Sequence, residues 1–440
     1  MSFKFVDLFA GIGGFHAALE AAGGECVFAI EIDKDAAAVY DRVWHMNPLG
    51  DINDYVTDEE VSVPDHDVLA AGFPCQPFSK SGAQRGMEET RGTLYWSILR
   101  IVRARRPSLV ILENVRNIAG PRHVHEWEVI IKSLTDEGYC VAISPGVFSP
   151  HLLPIGRGGR PQIRERVFIV AVRDDLDLSG SAFDELPIVD NRPVNNWDPQ
   201  MWDLRSVLLR PAKVPSSTAL SEQEEIWIDA WDEFVVSMRE NCGVDRLPGF
   251  PLWADDWVLP ADLLIPCDTP KWKSDFLVKN AGFYGAHKRY IDSWTKKWGV
   301  YSAKFPPSRR KFEWQAQDTR SLWEAVIQLR PSGIRAKRPT YLPALVAITQ
   351  TSIIGSERRR LAPREAARLQ GLPDWFEFGD QSDAATFKQL GNGVSVGAVW
   401  HVLLETVNRY EKILGESCPG LVEAVMAAPK DPDAALSALR

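Results

Sequence analysis

Asp7-Leu8-Phe9-Ala10-Gly11-Ile12-Gly13-Gly14 ends an apolar run over residues 4–9 and opens a helical pattern over residues 15–22. Strand, glycine turn and helix follow one another without a spacer. Glycines let a ligand approach the backbone closely, and a helix N-terminus favours a carboxylate or phosphate. A second strand pattern, residues 26–30, ends at Glu31, an acid that suits a ribose diol. Together these features predict an adenosine-containing cofactor without saying which one. A nicotinamide dinucleotide remains open at this point.

Working outward, residues 35–45 read as helix. Residues 67–71 read as a short buried strand that runs into Gly72-Phe73-Pro74-Cys75-Gln76-Pro77-Phe78-Ser79. Residues 94–105 have helical spacing, and residues 109–112 form a strand ending at Glu113-Asn114-Val115. Residues 126–137 read as helix, and 140–143 and 167–172 as strands. Continuous apolar strands alternating with amphipathic helices predict a mostly parallel sheet covered on both faces. Ligands of such sheets sit at the carboxyl ends of the strands. Gly11, Glu31, Cys75 and Glu113 all fall just after a strand.

From about residue 175 the pattern changes. Pro, Asp and Trp become frequent, and 11 of the 16 tryptophans lie between Trp197 and Trp323. Helical spacing returns at Arg364-Glu365-Ala366-Ala367-Arg368-Leu369-Gln370, with Pro363 as a first-turn residue. Residues 389–405 hold another glycine turn and an apolar helix. A second domain is therefore expected to interrupt the first. Residues 419–440 are Ala-rich and read as a peripheral helix or a loose tail.

The chain of 440 residues suits two or three domains, and 45% hydrophobic with 25% charged residues is the composition of a globular protein. No run approaches the roughly 18 to 20 apolar residues of a membrane span. The strand pattern that starts at once after Met1 predicts no signal peptide, so cytoplasm is the expected compartment. Six scattered cysteines show no metal or redox spacing, and no metal is expected. The net charge of -9 hides a segregation. Residues 174–262 hold 19 acids against 6 bases, and residues 268–368 hold 21 bases against 8 acids. A local basic surface is what phosphate contact needs, although a solvated face would look the same.

Cys75 follows a strand between two stiffening prolines, on the edge that carries the glycine turn. A thiol there can be activated as thiolate, where a core thiol cannot. Glu113 is a carboxylate at the next strand end. It could cap a helix or, near a reactive thiol, act as a general acid with a raised pKa. Arg164 and Arg166 alternate in Gln162-Ile163-Arg164-Glu165-Arg166 and project the same way if extended. A salt-bridge ladder and planar forks for base or phosphate are the two readings.

These pieces, in this order, resemble the bacterial DNA cytosine-C5 methyltransferases of restriction-modification type. The resemblance rests on residues 7–15, Pro74-Cys75-Gln76, Arg91-Gly92-Thr93-Leu94, Glu113-Asn114-Val115, residues 162–166, residues 364–371 and Gly391-Asn392-Gly393-Val394. It covers about residues 1–178 and 360–410. It implies an α/β fold: a Rossmann-like S-adenosylmethionine-dependent catalytic domain with an inserted, loop-rich target-recognition domain. The implied boundaries are 1–178 for the catalytic domain, 179–384 for target recognition and 385–440 for the return.

The resemblance also implies roles. Cys75 attacks C6 of a flipped cytosine. Glu113 contacts N3 and the amino group, Arg166 the carbonyl oxygen, and Arg164 assists near the thiol. S-adenosylmethionine would meet Phe9, Gly11, Gly13, Glu31, Ile32, Asp51, Ile52, Pro74, Leu94, Asn392 and Val394. Residues 79–91 would form a lid, with Ser81 and Gln84 filling the space left by the base. Arg91, Arg309, Arg310 and Arg335 would touch DNA, and most aromatics of the insert would be core. The implied partner is double-stranded DNA, with a cognate restriction endonuclease acting on the same site. A monomer, cytoplasmic and nucleoid-associated through DNA, is expected.

A tRNA cytosine methyltransferase of the related eukaryotic type would carry Cys-Phe-Thr, and no cysteine here is followed by Phe-Thr. A catalytically dead DNA-binding regulator on the same fold would not need Cys75, Glu113 and Arg166 intact. A methyltransferase of exocyclic amines would show an Asp/Asn/Ser-Pro-Pro-aromatic motif, which is absent. A nicotinamide oxidoreductase leaves Pro74-Cys75-Gln76 and the basic insert unexplained.

Overall fold

The computed structural model describes residues 2–74, 93–177, 183–190, 194–346 and 351–440. Two compact units emerge. The first comprises Met1–Trp202, Pro343–Ile348 and Pro363–Arg440; the second comprises Asp203–Leu342 and Thr349–Ala362. The division therefore falls at 202/203, 342/343, 348/349 and 362/363, against the expected 178/179 and 384/385. Long-range hydrogen bonds explain the difference. Trp197 and Trp202 both donate their indole N–H to the His151 carbonyl, at 3.2 and 2.9 Å. Arg160 Nε donates to the Arg368 carbonyl at 2.8 Å. Both flanks of the insert are thus tied to the first unit.

In the first unit the strands are β1 (Phe3–Leu8), β2 (Gly24–Ile30), β3 (Val68–Gly72), β4 (Leu109–Val115), β5 (Tyr139–Ala142), β6 (Gly146–Phe148), β7 (Gln162–Ile163), β8 (Arg166–Arg173) and β9 (Phe183–Asp184). Helices α1 (Gly14–Ala21), α2 (Lys34–Trp44), α3 (Ile52–Tyr55), α4 (Leu94–Arg105) and α5 (Val124–Asp136) are interspersed. The main sheet runs β2-β1-β3-β4-β8-β5-β9, with β6 also on β8. β1 to β4 pair in parallel as expected, but β8 is antiparallel to both β4 and β5. It is inserted between two strands that precede it in the chain.

β3 and β4 are buried on both faces, which is why they read as unbroken apolar runs. Tyr95, Ile98 and Val102 of α4 and Ile130 and Leu134 of α5 join the cluster of Val6, Leu8, Leu69, Ala71, Val110 and Leu112. α1 lies on the opposite face, where His16 meets the Phe5 ring edge-on at 5.4 Å.

The second unit is less loop-rich than its composition suggested. α6 (Glu222–Cys242) starts with a full capping box, Ser221 and Glu224 each bonding the other's backbone N–H. α7 (Lys271–Trp298) is kinked at His287. Strands β10 (Leu252–Trp253), β11 (Lys311–Gln315), β12 (Val326–Arg330) and β13 (Gly333–Lys337) form a sheet in the order β10-β11-β13-β12, extended by Ile353–Ile354 and Arg359–Arg360. The tryptophans are largely core, as expected. Trp231 is fully buried and stacks on Phe312 at 4.6 Å. The indole N–H groups of Trp231 and Trp294 donate to the Arg309 and Ala230 carbonyls, both at 2.8 Å, so burial leaves no polar atom of these rings unpaired.

The chain then returns to the first unit through α8 (Pro363–Leu369), α9 (Asp383–Asn392), α10 (Val396–Arg409), α11 (Glu411–Ser417), α12 (Pro419–Ala427) and α13 (Pro432–Ser437). The last two make the Ala-rich end helical and packed, with Leu421, Val425 and Leu436 buried. Among the described residues, no helix is long and apolar enough to cross a membrane.

Candidate active site at one edge of the sheet

Register brings the candidate residues together. Leu8 is paired with both Ile30 and Ala71, and Gly72 with Glu113. Four parallel strands therefore end on one line. The Gly11 turn, Glu31, Pro74 and Glu113 all leave the sheet at that edge.

The turn after β1 is held in a special backbone geometry. Phe9, Gly11 and Gly13 have φ of 57°, 57° and 88°. The left-handed region is unusual for a bulky residue such as Phe9 and costs about 1–3 kcal/mol, a form of strain that gathers at ligand sites. Side chains close in on Gly13 and Gly14: a Cβ on Gly13 would lie 2.2 Å from Trp44 Nε1, and one on Gly14 would lie 2.7 Å from Val394 Cγ1. A Cβ on Gly11 would meet nothing within 4 Å.

Glu31 is bound to this turn directly. Its carboxylate accepts from the N–H of Gly11 at 2.8 Å and of Asp33 at 2.7 Å. Asp33 caps α2 and pairs with Lys388 of α9 at 2.8 Å. That contact and the Val394–Gly14 approach bring the returning segment against the glycine turn. Asn392 is exposed, Val394 is buried, and Ile32 is 69% exposed. Asp51 caps α3 through the Asn53 N–H at 2.9 Å. Ile52 packs its side chain into the core at 3% exposure. Leu94 packs partly against the same core, and Pro74 is exposed where the described segment stops.

An open backbone turn at a helix start, an acid after the second strand and an exposed apolar side chain suit a nucleoside cofactor with a charged amino-acid portion. The residues present therefore fit S-adenosylmethionine.

Glu113 lies at the end of β4 with its carboxylate oxygen 2.9 Å from Arg166 Nε. Both are mostly buried. Burial raises the Glu113 pKa, and this outweighs the opposing pull of Arg166 and Arg164. A carboxyl held this way keeps a proton at higher pH than an exposed one. Asn114, for which the sequence implies no role, donates from Nδ2 to the Phe73 carbonyl at 2.9 Å. It fastens the β4 end to the segment that leads into Cys75.

The two arginines do not act alike. Arg166 faces Glu113, whereas the buried Arg164 guanidinium donates to the carbonyls of Gly391 at 2.8 Å, Gly393 at 2.6 Å and Leu345 at 3.0 Å. Burial, with Arg166 nearby, lowers its pKa to about 9. It remains a cation at neutral pH and clamps the turn that carries Asn392. Cys75, Ser81, Gln84 and Arg91 lie outside the described residues.

In the second unit, Arg309 and Arg310 both make hydrogen bonds within the protein. Arg309 donates to the Arg330 carbonyl at 2.9 Å and lies 5.0 Å over the Trp227 ring. Arg310 donates to Asp255 and to the Phe305 carbonyl, at 2.9 and 2.8 Å. Arg335 pairs with Glu313 at 2.7 Å through Nε alone.

A twisted sheet with one inserted antiparallel strand, a glycine turn after β1 and an acid after β2 defines a Rossmann-like methyltransferase domain. The chain belongs to the C-5 cytosine-specific DNA methylases, whose family model matches residues 3–408. It is a DNA cytosine-5 methyltransferase. It is 46% identical to the Type II methyltransferase M.AluI of Cellulosimicrobium cellulans, over 99% of this chain and 98% of that protein. It is 30% identical to the Type II methyltransferase M.HhaI of Haemophilus parahaemolyticus, over 91% and 92%. Among solved structures, the Schizosaccharomyces pombe Dnmt2 methyltransferase aligns over 92% of this chain and 99% of its own, with 16% identity and a TM-score of 0.47.

Proposed function

We propose that Cys75 is the nucleophile, that S-adenosylmethionine is the methyl donor, and that the target is a cytosine turned out of a specific duplex sequence. The buried Glu113–Arg166 pair carries this reading. It is a carboxyl whose pKa is raised by burial, paired with a cation and one strand from the segment leading into Cys75.

A base inside the stack hides its faces, so it must leave the stack to react. Ser81 and Gln84 would then fill its place. The Cys75 thiolate adds to C6 and forms an S–C6 bond. Ring electrons shift toward N3, which takes the Glu113 proton, while Arg166 contacts the carbonyl oxygen. The resulting enamine makes C5 nucleophilic, which the aromatic ring is not. S-adenosylmethionine supplies the electrophilic methyl group that C5 accepts. Loss of the C5 proton to water, return of the N3 proton to Glu113 and cleavage of the S–C6 bond restore the aromatic ring, the carboxyl and the thiolate.

The second unit would serve as the target-recognition part. The Type II names of the relatives support a restriction-modification role beside an endonuclease of the same site. The protein would act as a monomer in the cytoplasm. Duplex DNA carrying 5-fluorocytosine at the target should form a denaturation-resistant adduct with the wild type, because fluorine at C5 blocks release. Cys75→Ser should bind DNA and cofactor yet form no adduct and transfer no methyl. A Cys75→Ser protein that methylates at the normal rate would overturn the mechanism.

A further inference from the structure

The sheet of the second unit has two unlike faces. Phe312, Trp314, Ile327, Leu329, Ile334 and Ala336 point into the core. The alternate residues must occupy the other face. Register confirms this: Glu313 lies opposite Arg335 on β13, and Gln328 of β12 lies opposite the same Arg335. Lys311, Arg330 and Lys337 share that face by the same alternation. It therefore carries four cations and one carboxylate, all half-buried, on adjacent strands.

The carboxylate divides its two oxygens. Glu313 Oε1 accepts from Arg330 at 2.7 Å, and Oε2 accepts from Arg335 Nε at 2.7 Å. Burial alone would raise the Glu313 pKa, but the two arginines outweigh it and hold it below the usual range. The anion is thus fixed, and it fixes Arg335 by the inner edge of its guanidinium. The two terminal nitrogens of Arg335 make no hydrogen bond among the described residues. A guanidinium oriented in advance loses less freedom on binding and presents a planar two-donor fork. The major-groove edge of guanine offers O6 and N7 as two adjacent acceptors that match such a fork.

We infer that Arg335, held in place by Glu313, reads a guanine of the recognised duplex from the polar face of this sheet. The inference rests on the second unit being the part that meets the target. It goes further by separating a base-reading arginine from Arg309 and Arg310, which are tied within the protein. Arg330 and the flanking lysines would supply charge along the phosphates. Arg335 is a specificity-determining residue, and Glu313 is a positioning residue that acts through it.

The test uses the full-length chain. Sequencing of DNA methylated by the wild type first gives the recognised site. kcat/KM is then measured on that duplex and on duplexes with each base pair replaced in turn. Arg335→Ala should lose roughly 10- to 100-fold of its discrimination at one G·C pair and keep it at the others. Glu313→Gln should lose a smaller share at that same pair. Arg335→Lys keeps the charge but not the fork, so it serves if the alanine variant fails to fold. It should retain non-specific DNA affinity and still lose the same discrimination. Uniform weakening across all sequences, with a shallower salt dependence, would mark a phosphate contact and overturn the inference. Unchanged discrimination would overturn it too. A wild type that methylates no DNA would defeat the functional reading instead, so the two failures are distinguishable.

Discussion

Asp7 sits fully buried in β1, two residues before the turn that starts at Phe9. One carboxylate oxygen accepts from the His16 N–H at 3.2 Å, and the other has no hydrogen-bond partner among the described residues. Burial, with Glu31 adding to it, raises its pKa well above the ordinary value despite the His16 bond. The folded state therefore binds a proton that the unfolded chain has released. Stability from this group is fully present below about pH 4, the unfolded value, and falls as pH rises through the window above it. Asp7→Asn keeps the acceptor without the charge and should flatten that decline. Denaturant midpoints measured between pH 4 and 8 check this, and an unchanged slope would reject it. Motif reading marked Asp7 only as the start of the glycine turn, because nothing local reports full burial. Glu113 was more legible, since its place at a strand end and the nearby Cys75 motif already suggested a raised pKa.

At the scale of elements, a close backbone approach to the returning segment lies at the start of α10. A Cβ on Gly397 would stand 1.9 Å from the Gly158 carbonyl oxygen, and one on Gly158 would stand 2.8 Å from Gly397 Cα. The two glycines let the helix and the turn touch. Gly397→Ala should cost about 3 kcal/mol, because backbone rather than a pliable side chain must move. Thermal unfolding of the variant measures it, and a loss below about 0.5 kcal/mol would show that the segment yields easily. The longer strands and helices from β1 to β8 were readable to within two or three residues, since period-2 and period-3.6 patterns are local, whereas the short α3, β6 and β7 were not. α6 and α7 were not read, although Ser221-Glu222-Gln223-Glu224 carries a capping-box signal. α7 contains Gly282 and Gly285 and kinks at His287, which interrupts its periodicity.

For the whole molecule, each unit has its own core. The first unit includes its distant C-terminal helices: Arg160 pairs with Asp433, and Leu421, Val425 and Leu436 are buried. Ending the chain at residue 417 should remove roughly 5 kcal/mol of apolar burial. The melting temperature of the first unit should drop by roughly 10 °C, while hydrogen exchange across α6 and α7 stays unchanged. A truncated chain with an undiminished melting temperature would show these helices to be dispensable.

The sequence by itself determined the local chemistry: a strand running into a glycine turn, an acid after β2, Pro74-Cys75-Gln76, and Glu113 after β4. Those signals lie in contiguous residues whose spacing sets both element and motif. Only the tertiary structure decided that β8 lies antiparallel between β4 and β5. Tertiary contacts also turned Arg164 toward Gly391 and Gly393 and left Arg166 with Glu113. They paired Arg309 and Arg310 within the protein, while two nitrogens of Arg335 make no hydrogen bond among the described residues. The reason is the same in each case: the partner that settles a side chain's role lies tens to hundreds of residues away, where no local period can point to it.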